Sequence, residues 1–200
     1  MKSIKARLTF IEDALGTASA DKEIHSRFIA SNAPDAPSRA EEIAAVGAEE
    51  VEERSMTVFP RDEDGNPIFW DYQIKGFFKD SCSALQRMKG EEIAKESLKL
   101  KAYKKIIDGC IFVFPRKIRI EMAGEIGELQ RPLRGQTAQG ERIALAHSET
   151  IPAGSTIEIE INVPDIYEKV VIEWLEYGKL KGLGQWRNAS FGRFTYEIIG

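Results

Sequence analysis

Near its C-terminus the chain reads KGLGQWRNASFGRF, from Lys181 to Phe194. Gly182, Gly184 and Gly192 permit positive φ and let a backbone approach a ligand closely. Successive amides in such a loop can form a concave nest for phosphate oxygens. Lys179, Lys181, Arg187 and Arg193 bring positive charge and Asn188 a side-chain amide, while Trp186 offers a flat face for a base or guanidinium. The chemistry open to this set is to hold a polyanion by its phosphates. The same residues also fit a glycine-rich hairpin with Trp186 packed inward.

Further cations lie upstream. Lys75 and Lys79 stand one turn apart on a predicted helix, where both ammonium groups could meet phosphates. RPLRGQTAQGER supplies Arg131, Arg134 and Arg142 with Gln136 and Gln139, and SLKLKAYKK adds Lys99, Lys101, Lys104 and Lys105. Each of these runs reads equally as solvated surface. Catalysis has no comparable anchor. His25 and His147 lack neighbours at metal-ligand spacing, so neither a metal nor another cofactor is expected. Asp13, Asp21 and Asp35 form no pattern that selects a catalytic carboxylate, and triad orders and nucleotidase motifs are missing. The expectation is a non-enzymatic binding protein with no catalytic residue, a weak metal-dependent ribonuclease staying open as the alternative.

These residues must be positioned by a chain of 200 residues, enough for one domain with a real core. Its net charge of −4 argues against nucleic acid until the distribution is read. Asp35 to Asp64 holds ten acidic against three basic residues, so the remainder of the chain carries +3 and can present a positive face. Cys82 and Cys110 sit in apolar patterns and read as buried reduced thiols. No apolar run is long enough to span a bilayer, and the N-terminus alternates as a strand and not as a signal peptide; a cytoplasmic location is expected.

Ile4, Ala6, Leu8 and Phe10 alternate with polar residues and predict a half-buried strand. Regularity then fades across 12–71, read as an insertion that contains the acidic stretch 35–64 and two short extended pieces, MTVFP and NPIFW, around the turn DEDGN. Ile74, Phe77, Phe78, Leu85 and Met88 give the stripe of a first helix, and a second is predicted from about Ile93 to Ile107. CIFVF reads as a buried strand. A second insertion, 115–155, contains a periodless loop at 123–141, a possible strand RIALAH and the turn IPAG. STIEIEINV is the clearest strand, followed by a helix that ends at Gly178 and by FTYEII with Phe194, Tyr196 and Ile198 inward. Without the insertions the order is βαββαβ: an α+β, ferredoxin-like plan over a single domain 1–200, with a four-stranded sheet like that of RNA-recognition modules.

GLGQWRNASFGRF resembles the glycine-rich loop of the RAMP superfamily, the RNA-binding proteins of CRISPR effector complexes. Gly182, Gly184, Phe191, Gly192 and Arg193 match its G-x-G start and its closing aromatic-Gly-Arg. DYQIKGFFKDSCSAL, with Ile74, Lys75 and Gly76, is similar to the Leu-Lys-Gly signature of the repeated backbone subunits of type I and type III effectors. SETIPAGSTIEIEI resembles their glutamate-hydrophobic-Pro-Ala-Gly run before an alternating strand. Tyr72-Gln73 departs from the family's small or serine pair, and the acidic insertion takes the place of its variable finger-like elements.

The resemblance implies sequence-independent binding of single-stranded RNA by a subunit that assembles along the strand. Lys75, Lys79, Arg131 and Arg134 would join the loop residues in gripping it. The partners implied are single-stranded RNA or DNA and further copies of the chain or CRISPR-type effector subunits, with no membrane. The compact acidic form looks like standalone phage-encoded relatives. Two other functions fit: an anti-CRISPR protein that imitates a backbone subunit, favoured by the acid between Glu41 and Glu53, and a nucleotide or cyclic-oligonucleotide binder.

Overall fold

The computed structural model describes residues 1–20, 56–137 and 140–200, without the side chains of 133–145. Most of the acidic stretch lies outside the described residues, as do Asp21, His25, Asp35, Gln139 and the side chains of Arg134, Gln136 and Arg142. In chain order the first strands are β1 (Lys2–Phe10), β2 (Ala14–Leu15), β3 (Ala18–Ser19), β4 (Thr57–Val58) and β5 (Ile68–Trp70). Helices α1 (Asp71–Leu85) and α2 (Tyr103–Cys110) follow, then β6 (Phe112–Phe114), β7 (Lys117–Glu121), β8 (Gly127–Thr137) and β9 (Gly140–Ile151). β10 (Thr156–Val163), α3 (Glu168–Lys181) and β11 (Phe194–Ile198) complete the chain. The result is a mixed α+β fold.

The main sheet runs β11-β1-β10-β7-β5, with β6 also paired to β10, and every neighbouring pair is antiparallel. Register follows the alternation in the sequence: Ile4 opposes Ile161, Ala6 opposes Ile159 and Leu8 opposes Ile157, all buried on one face. Helices α1 and α3 cover that face. Ile74, Phe77, Phe78, Cys82 and Leu85 of α1 meet Val170, Val171, Trp174 and Leu175 of α3 in one core. Fully burying one such phenylalanine is worth about 1.5–3 kcal/mol. A second sheet, β2-β9-β4-β3 with β8 on β9, is largely the β8–β9 hairpin, in register from Gly127↔Thr150 to Thr137↔Gly140. Ala14↔Ile151 ties it to the end of β1.

Several expectations need correction. The predicted second helix is broken into 3-10 turns at Glu92–Ala94 and Ser97–Lys99, and α2 begins only at Tyr103. Side chains explain the break. Glu173 accepts the N–H of Glu96 (2.6 Å) and Ser97 (2.8 Å), while Gln86 donates to the carbonyls of Ser97 and Leu100, so α-helical bonding is displaced there. The supposed loop 123–141 is mostly hairpin strand; no residue of 127–132 is fully buried, and the half-buried Leu129 between exposed Glu128 and Gln130 is too short an alternation to mark a strand in the sequence. In β6 only Val113 is buried; Phe112 and Phe114 are 41% and 48% exposed. Ile198 is likewise outward, 46% exposed.

Gly178 does not end α3. The helix runs on to Lys181, and the glycine makes room for the Phe194 ring: a Cβ on Gly178 would fall 2.3 Å from it. Cys82 and Cys110 are both free, Cys82 buried and Cys110 half-buried.

Candidate nucleic-acid interface

α3 closes with Gly182 N–H donating to Gly178 O at 3.3 Å, and the chain then turns through a loop whose two ends are stitched together. Leu183 N–H donates to Gly192 O at 2.8 Å, Gly192 N–H to Asp13 O at 2.8 Å, and Ile11 N–H to Arg193 O at 2.8 Å. This close approach is what the glycines are for. Gly192 has φ +70°, and a Cβ there would lie 1.8 Å from Leu183 O; one on Gly182 (φ +80°) would lie 2.4 Å from Phe191 O. The amides of Gly182 and Gly192 are thus engaged within the protein and are not open for a phosphate. The N–H groups of Gly184, Gln185 and Trp186 make no hydrogen bond among the described residues.

Between this loop and α1 lies an open cleft of about 670 Å³, lined by Asp80, Lys181, Gln185, Trp186, Arg187 and Asn188 among others. Arg187 Nη1 contacts Asp80 Oδ2 at 2.6 Å, and Lys181 Nζ is 3.5 Å from Asn188 Oδ1, long for a hydrogen bond. Trp186 is half-buried, edge-on to Phe191 at 6.2 Å between centroids. Its backbone is left-handed, φ +50°, a costly conformation for a bulky residue that functional sites tolerate more often than scaffolds do. The cleft also lies at the C-terminal end of α3, where the helix dipole is negative; Lys179 and Lys181 in its last turn offset that field. Lys179 itself is paired with Glu176 at 2.5 Å.

The other predicted residues are placed elsewhere. Arg193 braces the loop against the end of β1: it pairs with Glu12 at 2.5 Å, and its Nε is buried without an acceptor. Lys75 and Lys79 turn toward α2, with Lys75 Nζ 3.4 Å from Asp108 O and Lys79 Nζ 2.6 Å from Asp108 Oδ1. Neither lines the cleft. Arg131 stands exposed on β8, opposite Ala146. Gln185, inside the glycine loop but not among its predicted contacts, also lines the cleft, as does Asp80, which carries no motif in the sequence; only the fold brings α1 beside the loop. Among the described residues no cluster of His, Cys, Asp and Glu could hold a metal, and no helix is long and apolar enough to cross a membrane.

No protein-family model matches the chain, and no curated protein does. Among solved structures it is similar to a chain in the cryo-EM structure of the Type III-B Cmr-beta bound to cognate target RNA, with a TM-score of 0.51 and 12% identity. The match covers all of this chain and 60% of the other, so this chain spans about three-fifths of that neighbour's length. At that identity the likeness is one of fold.

Proposed function

We propose that the chain binds single-stranded nucleic acid, RNA ahead of DNA, by its sugar–phosphate backbone in the cleft between α1 and the loop after α3, without catalysis. The observation that carries this reading is the meeting of Lys181, Arg187, Asn188 and a strained, half-exposed Trp186 around one open cleft. Arg187 would exchange Asp80 for a phosphate, which its planar fork can grip by two hydrogen bonds, and Lys181 would add a point charge. Trp186 would take a base on its exposed face; such stacking is worth about 1–3 kcal/mol per base and tolerates any sequence. Contacts to phosphate fix position and carry no base code.

The wider fold is consistent with this role. The order β11-β1-β10-β6 with antiparallel neighbours and two helices on one face supports a ferredoxin-like plan. Together with the loop motif and the structural neighbour from an RNA-bound complex, it supports a RAMP-type subunit that works beside further copies or effector subunits. Fluorescence anisotropy with short labelled RNA and DNA at low salt tests the binding. Lys181→Glu and Arg187→Glu should each weaken it at least about tenfold. Arg193→Glu is the wrong probe, since that residue holds the loop to Glu12. Absence of binding at about 50 mM salt, or binding indifferent to both reversals, refutes the proposal.

A further inference from the structure

A second aromatic group lies at the other end of α1. Trp70 and Tyr72 are stacked, 6.2 Å between centroids and 11° between planes, and Tyr72 is 60% exposed. Arg116, from the turn between β6 and β7, and Lys117, the first residue of β7, each lie 6.0 Å from the centre of the Trp70 ring. Lys117 is paired with Glu63, whereas Arg116 has no ion pair among the described residues. Arg116 also acts on the Tyr72 hydroxyl: burial and Asp71 raise its pKa above the usual value, and Arg116 opposes them.

The backbone that carries these side chains is pinned by hydrogen bonds. Trp70 N–H donates to Gln73 Oε1 at 2.7 Å, Gln73 Nε2 donates to Thr17 Oγ1 at 2.7 Å, and Asp71 N–H donates to Arg116 O at 3.0 Å. Tyr72 N–H is capped by its neighbour's Asp71 Oδ1 at 2.8 Å. An exposed tyrosine stacked on an indole, beside a guanidinium with no carboxylate partner among the described residues, gains nothing for the core. Its ring orientation and free charge match an unpaired base followed by its phosphate.

We infer that Trp70, Tyr72 and Arg116 form a stacking site for one unpaired nucleobase, with Arg116 on the adjoining phosphate. This rests on the nucleic-acid reading and extends it. Tyr72 and Asp80 are eight residues apart on α1, about 12 Å along its axis, so a strand seated in the cleft reaches the platform within roughly three or four nucleotides. A bound strand therefore lies along α1.

The test uses fluorescein-labelled oligouridylate about twelve nucleotides long, within the usual range of single-strand site sizes, and a fully abasic version of it. Tyr72→Ala should weaken binding of the normal strand roughly tenfold and Tyr72→Phe should not. On the abasic strand the Tyr72→Ala penalty should vanish. If Tyr72→Ala binds like the wild type while Lys181→Glu does not, the platform is refuted and the cleft stands. A Tyr72→Ala penalty undiminished on the abasic strand also refutes it. If the wild-type protein binds neither strand, both readings fall.

Discussion

Replacing Asp80 with Asn asks whether the cleft is an anion site held shut by its own carboxylate. Asp80 is 45% exposed and Arg187 29%, with 2.6 Å between their charged atoms. A pair this wet contributes about 0–1 kcal/mol to the fold, so its loss should leave the protein intact. A phosphate taking over Arg187 would sit roughly 6 Å from the Asp80 carboxylate, where repulsion is about 0.7 kcal/mol in water and about 2.8 kcal/mol at an effective dielectric of ~20. Partial exposure and screening at ~0.1 M salt bring this to about 1 kcal/mol. Release of Arg187 from its partner adds at most a similar amount. Together, about 1–2 kcal/mol corresponds to a 5- to 30-fold gain in affinity. Anisotropy titration of a labelled single-stranded RNA measures it, with thermal melting as the control, and the gain should shrink as salt rises. Unchanged or weaker binding by a normally folded Asp80→Asn protein would show that no phosphate reaches Arg187.

The remaining expectations concern salt, the loop and the core. With Lys181, Arg187 and Arg116 neutralising about two to three phosphates, log affinity should fall against log salt with a slope near −1.4 to −2.1, read from titrations across salt concentrations. Gly192→Ala should cost about 2 kcal/mol or more, because its Cβ would sit 1.8 Å from Leu183 O at φ +70°; chemical denaturation measures it, and a near-neutral result would place the loop differently. Burial pushes the Cys82 thiol up from 9.0 to about 11. Between those values the folded state holds a proton that the unfolded state has lost, so stability should decline as pH rises from about 9 to about 11. Cys82→Ala, compared by urea unfolding over that range, should lack this component of the decline.

What the sequence disclosed and what it hid follow from where burial leaves a period. β1 and β10 are legible because one face is sealed and the other wet, so Ile4–Phe10 and Ile157–Ile161 alternate without exception. α1 is legible because Ile74, Phe77, Phe78, Cys82 and Leu85 all meet the core. Of the β8–β9 hairpin only RIALAH, within β9, reads as a possible strand; the rest is held by main-chain pairing that its polar residue types do not announce. The turns at 92–99 depend on Glu173 and Gln86, far along the chain or across a helix end. The functional residues divide the same way. Glycines 182 and 192 announced a close approach, but the backbone they admit is the protein's own. Asp80 and Arg116 needed the fold, because nothing in the sequence relates the first to the loop after α3 or the second to Trp70 and Tyr72.

The sheet itself explains why a ligand should lie on the helical side. In RNA-recognition modules the exposed face of the sheet carries the stacking aromatics. Here much of the charge on that face is already matched, although Lys5 of β1 has no ion pair among the described residues. Arg7 lies between Glu158 at 2.7 Å and Glu197 at 3.8 Å, Ser3 donates to Glu160 at 2.8 Å, and Arg119 lies 3.5 Å from Glu121. A phosphate strand laid there would have to break these pairs and then face their carboxylates, with little aromatic surface beyond Phe112 and Phe114 on the short β6 edge to compensate. At the ends of α1 the balance is reversed: Arg116 is unpaired among the described residues, and Arg187 meets a single, half-exposed aspartate. Trp186 adjoins Arg187 in the cleft, and Tyr72 stands near Arg116. On the proposed reading, the fold keeps the antiparallel sheet while the binding surface lies off the sheet, along the helix that covers it.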